Sequence, residues 1–67
     1  MAFELYDHVM IQRNQTPGEI IDIVHGEDGT ACYYVESDIE GYKDDPDVQI
    51  PGSWPIYECF EDDLKKI

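Results

Sequence analysis

Residues 18–36 read GEIIDIVHGEDGTACYYVE, and this stretch decides the fold. On both sides of its central GEDG, apolar residues recur every second position, and many of them are the β-branched or aromatic types typical of strands. Gly and Asp residues between two such runs favour a tight turn. We therefore predict a strand at 19–25, a hairpin turn at 26–29 and a return strand at 31–36.

The alternation also predicts which side chains share a face, because successive residues of a strand point to opposite sides. In the first of these strands, Ile21 and Ile23 fall on one face, while Ile20 and Val24 flank Asp22 on the other. The return strand divides its residues in the same way: Tyr33 and Val35 on one face, Cys32 and Tyr34 on the other.

The remainder of the chain predicts further short strands. An earlier strand at 8–13, with Val9 and Ile11 on one face, is expected to stop at NQTPG, where Pro17 and Gly18 supply turn geometry. The segment 37–53 is rich in acids, Pro and Gly, and predicts a long loop that contains a short extended piece at 48–50.

The C-terminal part predicts a strand at 55–60 followed by one helical turn in EDDLKKI, residues 61–67. Acids at its start and Lys65 and Lys66 at its end suit the helix dipole. The last three residues are expected to pair with the first strand. Together the patterns predict a mostly β protein: a single domain over residues 1–67, with about five short strands and a one-turn helix near the C-terminus.

Charge limits the classes of partner. Sixteen acids against four Lys and Arg give a formal net charge of −12, which repels phosphates and anionic lipids and attracts cationic surfaces. Direct binding to nucleic acid or to a membrane is therefore disfavoured. Hydrophobic residues make up 42% of the chain, too many for a disordered acidic tail.

Location and redox state are also predicted. The opening MAFELYDHVM has no basic segment followed by a long apolar run, and no stretch approaches the roughly 20 apolar residues that span a bilayer. We expect a cytoplasmic protein. Cys32 and Cys59 lack CxxC spacing and are interpreted as reduced, partly buried thiols, although the sequence leaves a bridge between them open.

The order of strand, turn, strand, tight hairpin, long loop, strand and helical turn resembles that of SH3-like small barrels. ELYDH at 4–8 is similar to the ALYDY stretch of SH3 domains, and Tyr33 with Tyr34 stand about where those domains carry a Trp pair. The interval from Asp7 to Gly18 is shorter than in SH3 domains, and the final Pro and Tyr are not in the expected context. The resemblance therefore does not imply a groove for proline-rich peptides.

The GEIIDIV and YYVESD segments also look like those of KOW-like and Tudor-like barrels. An F-x-x-x-D-x-V opening, formed by Phe3, Asp7 and Val9, is similar to that of short, uncharacterised bacterial proteins of this fold, which is the closest likeness. These resemblances imply an SH3-like barrel, and they say more about fold than about function.

One stretch suggests a binding site. ESDIEGYKDDPD, residues 36–47, places acids and a central Gly on the positions of a calcium-binding EF-hand loop. Glu at its first position, Asp at its last, and flanks that read as strands all depart from that motif. We therefore interpret it as an acidic loop rather than a calcium site, and the sequence leaves open whether the loop binds a protein or only solubilises the chain. The predicted binding residues are Asp38, Glu40, Tyr42, Asp44, Asp45, Asp47 and Trp54.

No catalytic residue, cofactor or metal site is predicted. His8, His25, Cys32 and Cys59 are competent metal ligands, but no two are close in sequence, and no Ser, Cys or Lys stands in a recognisable nucleophile setting. The leading hypothesis is a noncatalytic acidic module that binds a basic protein surface, such as an immunity-like or antitoxin-like protein or a phage-type inhibitor that mimics nucleic acid. The alternatives are a nucleic-acid-associated KOW-like or Tudor-like barrel and a degenerate calcium-binding loop protein.

Overall fold

The computed structural model describes residues 3–40, 48–50 and 52–67. Within these ranges six strands form one open antiparallel sheet, in the order β4-β5-β3-β2-β1-β6. The strands are β1 (His8–Ile11), β2 (Thr16–His25), β3 (Ala31–Ser37), β4 (Val48–Ile50), β5 (Ile56–Phe60) and β6 (Leu64–Lys66), and a 3-10 turn occupies Glu61–Asp63. The predicted mostly β fold, with one helical turn near the C-terminus, is confirmed.

The β2–β3 hairpin is the centre of the sheet, as residues 18–36 predict. Its turn is closed by a hydrogen bond from the Gly26 amide to the Thr30 carbonyl, at 2.8 Å. Gly29 has φ of 87°, a left-handed conformation that glycine adopts at little cost. The Asp28 carboxylate accepts a further bond from the Thr30 amide, at 3.0 Å, so the turn residues favour the hairpin independently of the strands.

The prediction that Asp22 and Val24 share a face of β2 agrees with the strand pairing, but the face predicted for Ile20 is wrong because the strand contains a β-bulge. Ile20 pairs with Val35 and Asp22 pairs with Tyr34, which leaves Ile21 as an extra residue between them. The bulge shifts the alternation by one position. Ile20 and Ile23 therefore share the core face, instead of Ile21 and Ile23.

The turn between β1 and β2 also differs from the prediction. β1 ends at Ile11 rather than at Arg13, and the chain reverses over residues 12–15. Gln15 has a φ of 60°, so it supplies the left-handed conformation expected of a glycine. Pro17 and Gly18 instead lie inside β2, opposite Met10 and Val9.

The core lies on one face of the sheet. Val9, Ile11, Ile20, Val35 and Cys59 have no exposed surface. The buried residues packed with them are Tyr33, Tyr57 and Leu64.

The last strand pairs with the first, as expected, but its lysines are not at a helix end. The 3-10 turn stops at Asp63, whose carbonyl accepts a hydrogen bond from the Gln12 amide at 2.8 Å. Leu64 then enters the core opposite Ile11. Leu64 is buried in an extended backbone conformation, and Lys65 and Lys66 therefore lie in β6 instead of ending a helix.

Candidate protein-binding surface

The face of the sheet opposite the core carries both acids and apolar side chains. In β3, Tyr33, Val35 and Ser37 are buried, whereas the alternate residues point away from the core. Strand pairing aligns those residues with neighbours on β2 and β5. We call this surface the outer face; its three rows are Glu19–Glu36–Ile56, Asp22–Tyr34–Glu58 and Val24–Cys32–Phe60.

Glu58 is held in the middle of the outer face by two donors from β3. The Cys32 thiol donates to Glu58 Oε2 at 3.0 Å, and the Tyr34 hydroxyl donates to the same oxygen at 3.3 Å. Burial and the carboxylate raise the pKa of Cys32 to about 12, and the negative charge of Glu58 raises the pKa of Tyr34. Both donors therefore stay protonated at neutral pH, and Glu58 is fixed as an acceptor.

The acids of the outer face are close to one another. Glu19 and Glu36 are directly opposite across β2 and β3, an arrangement of like charges that costs stability. Within the described part of the chain, neither they nor Asp22 have a Lys or Arg at ion-pair distance. A cationic group that approached this face would relieve the repulsion.

Two cations in the described ranges pair with acids away from the outer face. The Arg13 guanidinium is bonded to the Asp63 carboxylate, and Lys66 Nζ lies 3.5 Å from Asp7 Oδ2. The carboxylates paired with Arg13 and Lys66 thus lie outside the central rows.

An apolar groove crosses the outer face above Tyr34. Ile21 and Val24 of β2 form one wall, and Ile50 and Ile56 form the other. Val24 is 47% exposed and Ile50 is 53% exposed. Contiguous exposed apolar side chains with a polar rim are a feature of surfaces that bind another molecule.

Part of the predicted binding set lies at the edge of this surface. Asp38 follows β3, and its Oδ2 is 2.5 Å from His8 Nε2. Glu40 is exposed, and Trp54 is 49% exposed. A backbone hydrogen bond from Ser37 to Pro55, at 2.9 Å, brings the chain segments that carry Asp38 and Trp54 to the same end of the sheet.

The other predicted residues lie outside the described ranges: Tyr42, Asp44, Asp45 and Asp47. The same is true of most of the calcium-like loop. Its first acid, Glu36, is in β3 and points to the outer face. Asp38, its third residue, contacts His8. The described residues hold no group of three or more His, Cys, Asp or Glu side chains placed to bind a metal.

A second, open cleft lies at the hairpin end of the sheet. Its floor includes Tyr33 and Leu64, and its rim includes Glu61 and Asp62. Tyr33 is buried and packs edge-to-face on Phe3, with ring centroids 5.6 Å apart. This packing makes Tyr33 a residue of the core.

The two cysteines are free thiols on opposite faces of the sheet. Cys59 points into the core, whereas Cys32 lies on the outer face. Side chains that point apart cannot form a disulfide without movement of the backbone. The question of a bridge that the sequence leaves open is thereby answered.

Sequence reasoning did not identify Glu19, Asp22, Glu36 and Glu58 as one surface. A usable signal was present, since Tyr34 and Glu36 alternate with apolar residues of the return strand. The residues that β2 adds to this surface could not be predicted, because the bulge at Ile21 shifts the alternation of faces along the strand.

Comparisons with protein-family models, with curated proteins and with solved structures gave no match. Among the described residues, the structure contains no helix long and apolar enough to cross a membrane.

Proposed function

We propose that this chain is a noncatalytic binding module that engages a basic surface on a protein partner. The observation that carries the proposal is the outer face, where acids without a Lys or Arg partner in the described ranges surround Tyr34 and an exposed apolar groove. Charge complementarity of this kind speeds encounter and selects the partner, while apolar and aromatic side chains slow dissociation.

The kind of protein that fits this description is a small acidic inhibitor, such as an immunity-like or antitoxin-like protein. A net charge of −12 on 67 residues supports mimicry of nucleic acid, in which carboxylates occupy a groove that the partner uses for phosphates. We place such a protein in a bacterial cytoplasm. The pairing of the last strand with the first supports the proposal that the fold is an SH3-like barrel.

Affinity purification at two salt concentrations tests the proposal. The tagged chain is expected to capture a basic protein at about 0.05 M salt and to release most of it at about 0.5 M, because screening shortens the reach of exposed charges well below 10 Å. Capture of no basic partner, or capture that is indifferent to salt, would contradict the proposal.

A second bait asks whether the acidic loop contributes. Asp38→Asn, Glu40→Gln, Asp44→Asn and Asp45→Asn together remove four negative charges at the loop. If the loop is part of the binding surface, this bait retains less partner than the parent chain does at equal salt. Unchanged retention would mean that the loop only solubilises the protein.

A further inference from the structure

The middle of the outer face restricts what can bind to it. β3 is hydrogen-bonded to β2 on one side and to β5 on the other, so its backbone groups are already paired. A segment that lies across this face therefore finds no backbone partner there. Because buried amides and carbonyls must be satisfied, such a segment has to satisfy its own, as an α-helix does.

The groove also has the width of a helix. Its walls are formed by β2 on one side and by β4 and β5 on the other. Two inter-strand steps separate β2 from β5 and three separate β2 from β4, which corresponds to about 10 and about 14 Å between strand axes. An α-helix with its side chains is about 10–12 Å across, which is comparable to these strand separations, so a single helix lying on the sheet above Tyr34 would reach both walls.

Charge and hydrophobicity then define the helix. Ile21, Val24, Ile50 and Ile56 offer apolar contacts along the groove. Asp22 and Glu58 lie on either side of Tyr34, in line with it across the strands. A helix with one apolar stripe and with Arg or Lys flanking that stripe would complement both features.

We propose that the groove above Tyr34 binds a basic amphipathic helix of the protein partner; this inference rests on the proposed function and adds the surface and the form of the bound segment. The apolar stripe lies between Val24 and Ile50, and the cationic side chains reach Asp22 and Glu58. The Tyr34 and Cys32 donors already fix the Glu58 carboxylate. Binding therefore costs little additional side-chain entropy at Glu58.

The test uses an 18-residue peptide of Leu and Arg, with Leu at positions i, i+3, i+4 and i+7, and the isotope-labelled full chain. A control peptide has the same composition, rearranged so that no apolar stripe forms. NMR titration should show saturable shifts of amides in β2, β3 and β5 around Tyr34 with the first peptide. The control peptide should bind at least about tenfold more weakly.

Matched variants separate a specific site from a general charge effect. Asp22→Asn with Glu58→Gln should weaken binding of the amphipathic peptide about tenfold. Glu4→Gln with Glu27→Gln removes the same charge from exposed positions off the outer face and should change affinity less than about twofold. Each variant is first shown to retain the amide spectrum of the folded chain.

Apolar variants test the other half of the surface. Val24→Thr with Ile50→Thr should weaken the amphipathic peptide about tenfold, whereas Ile39→Thr, also at an exposed position, should not. Shifts centred on the cleft near Tyr33, or equal losses in the two charge variants, would overturn the helix site. The salt-dependent capture of a basic protein would survive that outcome, so the two proposals can fail separately.

Discussion

Replacing Gly18 by Ala tests the close approach of β2 and β3 that holds the two central strands together. A Cβ added at Gly18 would lie 2.5 Å from the Glu36 carbonyl oxygen and 2.7 Å from Val35 Cγ1. The oxygen belongs to the backbone of a strand that is paired on both sides, so it cannot move alone. Separation of the strands is the remaining response.

The expected loss is large for one methyl group. Overpacking of this kind costs about 1–3 kcal/mol, and contact with fixed backbone points to the upper half of that range. For a domain of this size, about 2–3 kcal/mol corresponds to a fall in Tm of roughly 10–20 °C. Thermal and urea denaturation followed by far-ultraviolet circular dichroism would measure it.

Gly26→Ala is the matched control. Its added Cβ would lie 3.2 Å from Asp28 Oδ1, the end of a side chain, and 3.4 Å from the Thr30 carbonyl. Both substitutions reduce the entropy of the unfolded chain equally, so the difference between them isolates the clash. We expect the control to stay within about 0.5 kcal/mol of the parent. Equal stability of the two variants would refute the close approach of β2 and β3.

Three further predictions concern charge. Arg13→Met should lower the free energy of unfolding by about 1 kcal/mol, because Arg13 joins the β1–β2 turn to Asp63. In a double-mutant cycle, the same change made in the Asp63→Asn background should cost much less, and additive effects would contradict the pairing. Glu19→Gln should raise the free energy of unfolding by a few tenths of a kcal/mol in low salt, since it removes cross-strand repulsion; a gain that persists in 1 M salt would point to another cause. The pKa of Cys59 is raised to about 11 and that of Cys32 to about 12. Above about pH 9 the folded chain therefore binds more thiol protons than the unfolded chain, and the stability contributed by these thiols should fall as the pH rises from there. Alkylation of the two thiols by iodoacetamide at pH 8 should be much slower in the folded chain than in urea, and equal rates would be inconsistent with these shifts.

Local sequence signals predicted most of the fold. The hairpin at residues 26–29 is encoded by neighbouring turn residues, and Val35 and Tyr33 follow a regular alternation, so both could be derived from the sequence. The bulge at Ile21 could not, because it depends on how β2 aligns with β3 across space. The mistaken turn at Pro17 and Gly18 has a similar origin, since Gly18 is needed for a close approach between strands rather than for a turn.

The candidate binding surface was predicted less well than the fold. Composition indicated an acidic protein, and most of the predicted binding residues were placed in the loop at 36–47 because its acids are contiguous in the sequence. The acids of the outer face are dispersed along the sequence and meet only through strand register. Asp22 and Glu58, for example, become neighbours of Tyr34 only when β2, β3 and β5 are paired. Such a site requires the topology before it can be recognised.

The pairing of β1 with β6 has a consequence for synthesis of the protein. The central hairpin can form as soon as its own residues are available, because its contacts are local. β1 cannot find its second neighbour until Leu64 and the residues after it have left the ribosome. Contacts between distant parts of a chain form slowly, and until then one edge of β1 stays exposed. The high negative charge would keep such unfinished chains apart, so the acids for which we propose partner binding would also reduce aggregation of the nascent protein.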